Sequence, residues 1–512
     1  MKKIFTKYLG LLLFAGALII GLNTYKNYGI SWDEGSQRNL GRITYNYLFH
    51  GDDSLKHYDN KVYGVGFELP LMIIEKVFNL QDTRDVFLMR HLVTHIFFLL
   101  GALAFFLLID YIYHNKLLAM LGFLLLVVNP LIYGHSFFNT KDIPFLSMFI
   151  ICFLLFAIAF KKNTLTWYIL LGVGCAVLTN MRIMGVLLTG CIWIFFALDS
   201  FVLKDNKAEK KKTLRYLLYF TITTCLVLYV TWPYLYPNPV QYFVNSFKCM
   251  ARYPWEGEVL FWGKEYKSTA MPLNYGISWF CISNPIIYLL LGLTGIIFFA
   301  FKFIKNPKPF IFDKELRIQS LFIFCFAEPL LTVLILHSVL YDAWRQLYFI
   351  YPPFILAGLY ALSYLFKTKA KIPIVALLFA GIGYTGYYMV SNFPHEHIYF
   401  NEFVKKDPEY LRNNFELDYW GTSYKQAIDY ILKTDTSQTI YLDTECNVPG
   451  IQNLWLEKPG DRKRIRITYD NTKANYFASF YRNHREDYPF QNKEVYNIKV
   501  LNSSIMTVFK LR

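Results

Sequence analysis

Apolar runs of about 17 to 25 residues recur along this chain between short polar breaks, the length a helix needs to cross the hydrocarbon core of a bilayer. Eleven such runs are read near residues 8–22, 86–110, 117–136, 143–160, 167–181, 183–202, 215–233, 283–303, 319–338, 346–366 and 372–392. The fifth and sixth are parted only by Asn180-Met181-Arg182, so one long kinked segment also fits that stretch. Three longer polar stretches interrupt the pattern, at 23–85, 234–282 and 393–512. In the first, residues 35–50 set Leu40, Ile43, Tyr47 and Leu48 among Arg38, Arg42 and Asn46 at roughly helical spacing, and 67–78 is similar. Both fit helices lying along the membrane interface. In the last stretch, 424–432 reads as a helix, and 439–443, 464–469, 495–501 and 505–511 read as strands bounded by Asn, Asp and Gly. The expected fold is an all-α polytopic membrane domain over 1–392, followed by a small α/β domain over 393–512 on the outer side.

Composition agrees. Of 512 residues 55% are hydrophobic and 19% aromatic, more than a soluble domain carries. The opening Met1-Lys2-Lys3 and apolar run resemble a secretory signal, but no small-x-small cleavage pattern closes it, and a retained first span is expected. The net charge of +15 is explained by where the cations fall. With the N-terminus in the cytoplasm, the inside segments hold Lys2, Lys3 and Lys7; Lys116; Lys161 and Lys162; Lys204, Lys207, Lys210, Lys211, Lys212 and Arg215; Lys302, Lys305, Lys308, Lys314 and Arg317; and Lys367, Lys369 and Lys371. That is the asymmetry of a multi-pass protein of the cell membrane, and it removes the need for a nucleic-acid partner. Five of the eight cysteines (Cys152, Cys175, Cys191, Cys225, Cys325) fall in spans as small packing residues. No spacing rule supports a Cys249–Cys281 disulfide, and no CxxC or HExxH zinc pattern occurs.

Candidate chemistry gathers on the opposite side. Asp33 and Glu34 follow the first span, and Asp142 lies between the third and fourth, beside Lys141. Asp142 before Ile143-Pro144 also suits a plain helix-start role. The outer short connections hold only Lys141, Arg182 and Arg345 as cations, and charge at membrane depth is a functional candidate or a snorkelling or locally paired group. After the seventh span Tyr234, Tyr236, Tyr242, Phe243, Tyr253, Trp255, Phe261, Trp262 and Tyr266 crowd a loop that also holds Arg252, as an interfacial belt or as a groove for a chain or ring.

In order along the chain, Trp32-Asp33-Glu34, two interfacial helices, Asp142, Tyr341-Asp342-Ala343-Trp344-Arg345 and Phe415-Glu416-Leu417-Asp418-Tyr419-Trp420-Gly421 resemble the GT-C glycosyltransferases. The likeness is to family 39, with its protein O-mannosyltransferases and lipid A aminoarabinose transferases, and to bacterial phospholipid-carrier-dependent members. The resemblance implies transfer of a hexosyl or pentosyl group from a polyprenyl-phosphate donor to a hydroxyl on the outer face, usually with inversion. It implies Asp33 as the base, Glu34 as its supporting neighbour and Asp142 as the second acidic position. Arg345, Arg182 and Lys141, with Arg252 in reserve, are expected to bind the donor phosphate, an anion that suits the planar fork of arginine. No cofactor is required by this donor class, although Asp33 and Asp142 together could hold a divalent metal. Protein, glycolipid and polysaccharide acceptors all stay open. A secondary transporter would place ionisable groups nearer the midplane. An oligosaccharyltransferase-like enzyme would carry a Trp-Trp-Asp motif, absent here. A non-catalytic scaffold is the third alternative.

Overall fold

The computed structural model describes residues 2–203, 206–253, 255–470 and 472–512, with side chains from residue 8 onward; Lys204 and the side chains of Lys2, Lys3 and Lys7 fall outside it. Each of the eleven apolar runs is helical. Among the described residues nine helices are long and apolar enough to span a membrane, from Tyr8–Asn27 to Lys371–Ser391. The other two runs depart from the simple reading. The third breaks into Lys116–Val127 and Pro130–Phe138, bent by 64°. At the break the Asn129 side chain accepts from Ile132 N at 3.1 Å and donates to Asn284 Oδ1 at 2.8 Å, while Pro130 begins the second half. The residues around it stay apolar, so hydrophobicity alone hid the bend.

The fifth run, Leu165–Met181, is a separate short helix. Its end is fixed from the first polar stretch: Asn180 Oδ1 accepts from Val65 N at 2.9 Å, and the Asn180 carbonyl accepts from Gly66 N at 3.2 Å. Gly64 permits this approach, because a Cβ there would overlap the Asn180 carbonyl. Arg182 and Met184 turn the chain before Gly185–Leu198.

Both interfacial segments are helices, Glu34–His50 and Glu68–Val77. They are clasped by a bidentate pair, Arg38 Nη2 to Glu75 Oε1 at 2.7 Å and Nε to Oε2 at 3.0 Å. Buried Glu68 anchors the second to Arg90 and accepts from Thr140 Oγ1 at 2.6 Å.

Beyond the last span, a five-stranded sheet is built from β3 (Ile440–Thr444), β4 (Ile465–Ile467), β5 (Tyr476–Ser479), β6 (Glu494–Val500) and β7 (Ser503–Lys510). A separate hairpin, β1 (Glu258–Phe261) with β2 (Lys264–Lys267), precedes it in the chain. The order is β4-β3-β5-β7-β6, with β3 parallel to β4 and β5, and β7 antiparallel to both its neighbours. The helix Tyr424–Thr434 covers it with Tyr424, Ala427, Ile428 and Ile431. Four of these strands match the alternating runs of the sequence. Central β5 was not foreseen: all four residues are buried, so it shows no alternation.

Candidate active site

Asp33, Lys141, Arg182 and Arg345 follow the first, third, fifth and ninth apolar helices, and the fold brings them to one end of the bundle, where Asp33, Lys141 and Arg345 line a cavity of about 310 Å³. Asp33 starts the helix Glu34–His50 and lines this cavity with its side chain 36% exposed. The loop before it is held by the C-terminal region. Asn453 accepts from Ile30 N at 2.9 Å and donates to Ile30 O at 3.1 Å, and Trp32 N donates to Trp420 O at 3.1 Å.

Glu34 points the other way. It is buried, accepts from Ser31 N at 2.8 Å and sits 3.2 Å from His91 Nε2, outside the cavity lining. Its geometry is that of a loop holder. Asp142 is also withdrawn: it bonds Arg182 through Oδ1, faces Arg345 Nη1 at 3.3 Å through Oδ2, and accepts from Asn139 Nδ2 at 3.0 Å. Lys141, its neighbour in the chain, forms no ion pair with it among the described residues; these two arginines do. Asp142 heads the helix Asp142–Lys162, so the helix-start role and the ion pairs coexist.

Arg345 is a hub of charge. Its Nη1 lies 3.3 Å from Asp142 and 3.8 Å from Asp33, its Nη2 lies 3.2 Å from Asp342, and the rings of Tyr341 and Trp420 flank its guanidinium at 4.8 and 4.9 Å. The preceding loop is shaped for this. Asp342 and Ala343 have φ of 53° and 62°, a left-handed pair that costs about 1–2 kcal/mol per residue unless its surroundings enforce it. Ala343 N donates to Tyr275 Oη at 3.0 Å and Trp344 Nε1 to Ser283 Oγ at 2.7 Å, fixing the loop on both sides.

Lys141 differs: its ammonium stands over the Tyr63 ring at 3.7 Å, and it lines the cavity with no ion pair formed among the described residues. Removal from water, with Arg182 next in weight, pulls its ammonium down to about 7. Burial and then Arg345 likewise pull Arg182 down to about 10. An anion placed beside them would reverse both effects. Arg252 is not part of this group; it is exposed, donates to Leu336 O at 3.2 Å and lines no part of the cavity.

Sequence reasoning missed Arg482. It reaches in from the C-terminal region to Asp342 Oδ1 at 3.0 Å, lies 3.7 Å from Glu416 and covers the Trp32 ring at 5.4 Å. Burial pushes Glu416 up to about 7 against the pull of Arg482. Tyr419, Trp420 and Asn483 line the same wall.

The polar cavity continues inward. It shares Tyr63, Lys141, Tyr253, Tyr341 and Arg345 with a space of about 60 Å³ that also touches Arg182. That space shares Ile183, Met184 and Met250 with a third, largely apolar one of about 60 Å³, walled by Leu187, Phe247, Val333 and Leu336. Three adjoining cavities therefore share walls in sequence, from one bordered by a partly exposed carboxylate, past three cations, to one with largely apolar walls.

The backbone arrangement matches solved structures. ArnT from Cupriavidus metallidurans bound to undecaprenyl phosphate superposes with a TM-score of 0.53 at 11% identity, covering 97% of each chain. The chain has the GT-C fold. The apo Archaeoglobus fulgidus oligosaccharyltransferase gives 0.52 at 11% identity, over 92% of this chain and 66% of that one. Archaeal AglB in complex with an inhibitory peptide and a dolichol-phosphate gives 0.51, also at 11%, over 93% and 70%. The chain thus spans about two thirds of the archaeal enzyme's length. No family profile and no curated protein matches the sequence. The GT-C fold expected from the short motifs is therefore present, with interfacial helices after the first span and an α/β region after the last.

Proposed function

We propose that the protein is a membrane glycosyltransferase that moves a sugar from a polyprenyl-phosphate donor to a hydroxyl acceptor. The observation that carries this reading is the row of adjoining cavities, in which Asp33 lines the first, Lys141, Arg182 and Arg345 cluster at its junction with the second, and the third is walled largely by apolar side chains. Its three parts fit an acceptor hydroxyl, a phosphate and a prenyl chain in that order. The superposed ArnT and AglB structures hold undecaprenyl phosphate and dolichol-phosphate, which supports the same carrier class here.

In the reaction the acceptor oxygen attacks the anomeric carbon from the face opposite the phosphate, with inversion. The bond from that carbon to the phosphate oxygen breaks, and its electron pair leaves on the polyprenyl phosphate. The acceptor proton passes to Asp33 and then to water. Lys141 holds the departing phosphate as its charge grows, and Arg182 and Arg345 add fixed positive potential behind it. Of the expected phosphate ligands Lys141 has the strongest geometric case, since Arg345 already serves Asp142 and Asp342. Asp142 and Asp342 are positioning residues for the arginines, and Glu34 for the loop of Asp33. The site faces outward and the N-terminus lies in the cytoplasm, as the lysine-rich connections require. A cysteine introduced at 207 should accordingly resist impermeant thiol reagents in intact cells while one introduced at exposed Tyr469 reacts; the reverse pattern overturns the orientation.

The test is release of free polyprenyl phosphate when purified protein is incubated with polyprenyl-phosphate sugars and hydroxyl acceptors. Release with transfer, lost in Asp33→Asn, supports the assignment. No release across hexosyl and pentosyl donors, from folded protein that binds none of them, overturns it.

A further inference from the structure

A second recess opens elsewhere on the bundle, and the reaction above makes no use of it. The 64° bend after Val127 leaves a groove of about 360 Å³ between the first, the bent third and the last span, lined by apolar side chains such as Ala17, Ile20, Val128, Met389 and Phe393. The first and last spans are only 17% buried, so this groove opens onto the bilayer. At its end toward the catalytic face stand Thr24, Tyr133 and Glu396; Tyr133, 8% exposed, has only the Thr24 hydroxyl beside its Oη, and Glu396, 1% exposed, makes no hydrogen bond through Oε2. A buried carboxyl oxygen without a partner, beside a buried phenol, at the head of an apolar groove in a membrane is costly as it stands. A ligand with a small polar head and a long apolar chain would satisfy it.

The lining also decides the charge of that head. It contains no lysine or arginine, and its one ionisable carboxyl, Glu396, opposes a phosphate or carboxylate. Burial pushes Glu396 up to about 7, which keeps it partly protonated. A hydroxyl can accept from Tyr133 and either donate to or accept from Glu396, so it pairs in both protonation states. We propose that this groove binds one membrane lipid with an uncharged hydroxyl head, of the diacylglycerol class. This inference does not depend on the glycosyltransferase reading. Glu396 Oε1 accepts from Tyr28 Oη, and Tyr28 stacks on Phe137 at 4.0 Å, so the groove's polar end lies against the chain that leads to Asp33.

The test uses full-length protein in nanodiscs, photolysed with a diazirine-bearing diacylglycerol and, separately, a phosphatidic acid with the same chains. Peptides from the first and last spans should carry at least about fivefold more of the diacylglycerol label. Gly386→Leu should abolish that excess by filling the groove; a Cβ at 386 meets only Val128, at 3.9 Å, so the backbone accepts it. Tyr133→Phe removes one oxygen and should cut the excess by about threefold, a readout that survives if the leucine variant fails to fold. Equal labelling by the two probes, or an undiminished excess in folded Gly386→Leu or Tyr133→Phe protein, overturns the proposal.

Discussion

The innermost and outermost helices of this bundle are built from similar apolar residues and do opposite work. The segment Arg345–Leu365 is 89% buried and Asp142–Lys162 is 78% buried, whereas Tyr8–Asn27 and Lys371–Ser391 are 17% buried. The two inner helices begin with charge, Arg345 and Asp142, paired across their ends; the outer ones present Ile20, Ile372 and Val390 to lipid. In a bilayer, facing lipid costs an apolar side chain little, so burial alone does not sort the helices. What distinguishes the inner pair is that its charged ends must meet inside protein.

The contrast predicts where substitutions hurt. The largest effect is expected from Asp142→Ala, which leaves Arg182 and Arg345 facing each other without their shared carboxylate. Breaking such a pair costs about 3–5 kcal/mol, read as a lower unfolding midpoint in detergent. An unchanged midpoint would mean that water reaches and screens the pair.

Asp33→Asn should act on rate alone. Its carboxylate is 36% exposed and its contact with Arg345, at 3.8 Å, is the longest of the three carboxylates around that arginine, so stability should change little while turnover falls about a hundredfold, or roughly 2.7 kcal/mol of barrier. Turnover near that of the unaltered protein would remove Asp33 from the proton-accepting role.

Next is Lys141. With its ammonium at about 7 in the empty site, and a phosphodiester donor that keeps its single negative charge, binding needs the protonated lysine. Donor affinity should be flat below about pH 6 and weaken as pH rises through and above 7, toward tenfold per unit. Lys141→Met should weaken binding about tenfold at neutral pH and flatten that profile, measurable by titrating a fluorescent prenyl-phosphate donor at several pH values. A slope that persists in Lys141→Met would assign the titration elsewhere. The smallest effect belongs to the rim: Ile297→Leu, at a lipid-facing position, should shift stability by less than about 0.5 kcal/mol. A larger loss would show that this face packs against protein.

Much of this plan was legible from residues alone. Eleven apolar runs became helices, and the alternation of lysine-rich and lysine-poor connections put Asp33, Lys141, Arg182 and Arg345 on one side before any contact was known. The helical spacing of Leu40, Ile43 and Tyr47 announced the interfacial helix that starts at Asp33. What stayed hidden has physical reasons. Arg482 sits in a polar loop with no periodicity, and only the folded chain brings it to Asp342. Arg252 had the right side and neighbours, yet its backbone turns it outward to Leu336. The preference for Arg345 over Lys141 rested on the guanidinium's shape, and shape could not reveal that three carboxylates already surround it.

Arg482 also has a consequence in time. It is translated roughly 140 residues after Arg345, which at 5–20 residues per second is a delay of roughly 7 to 30 s. During that interval the helices that carry the cations and Asp33 are already inserted, but the wall made by Trp420, Arg482 and Asn483, and the clasp of Asn453 on Ile30, do not yet exist. The recess closes only when the last-made region docks. A nascent or misassembled copy therefore lacks that wall and the clasp that holds the Asp33 loop.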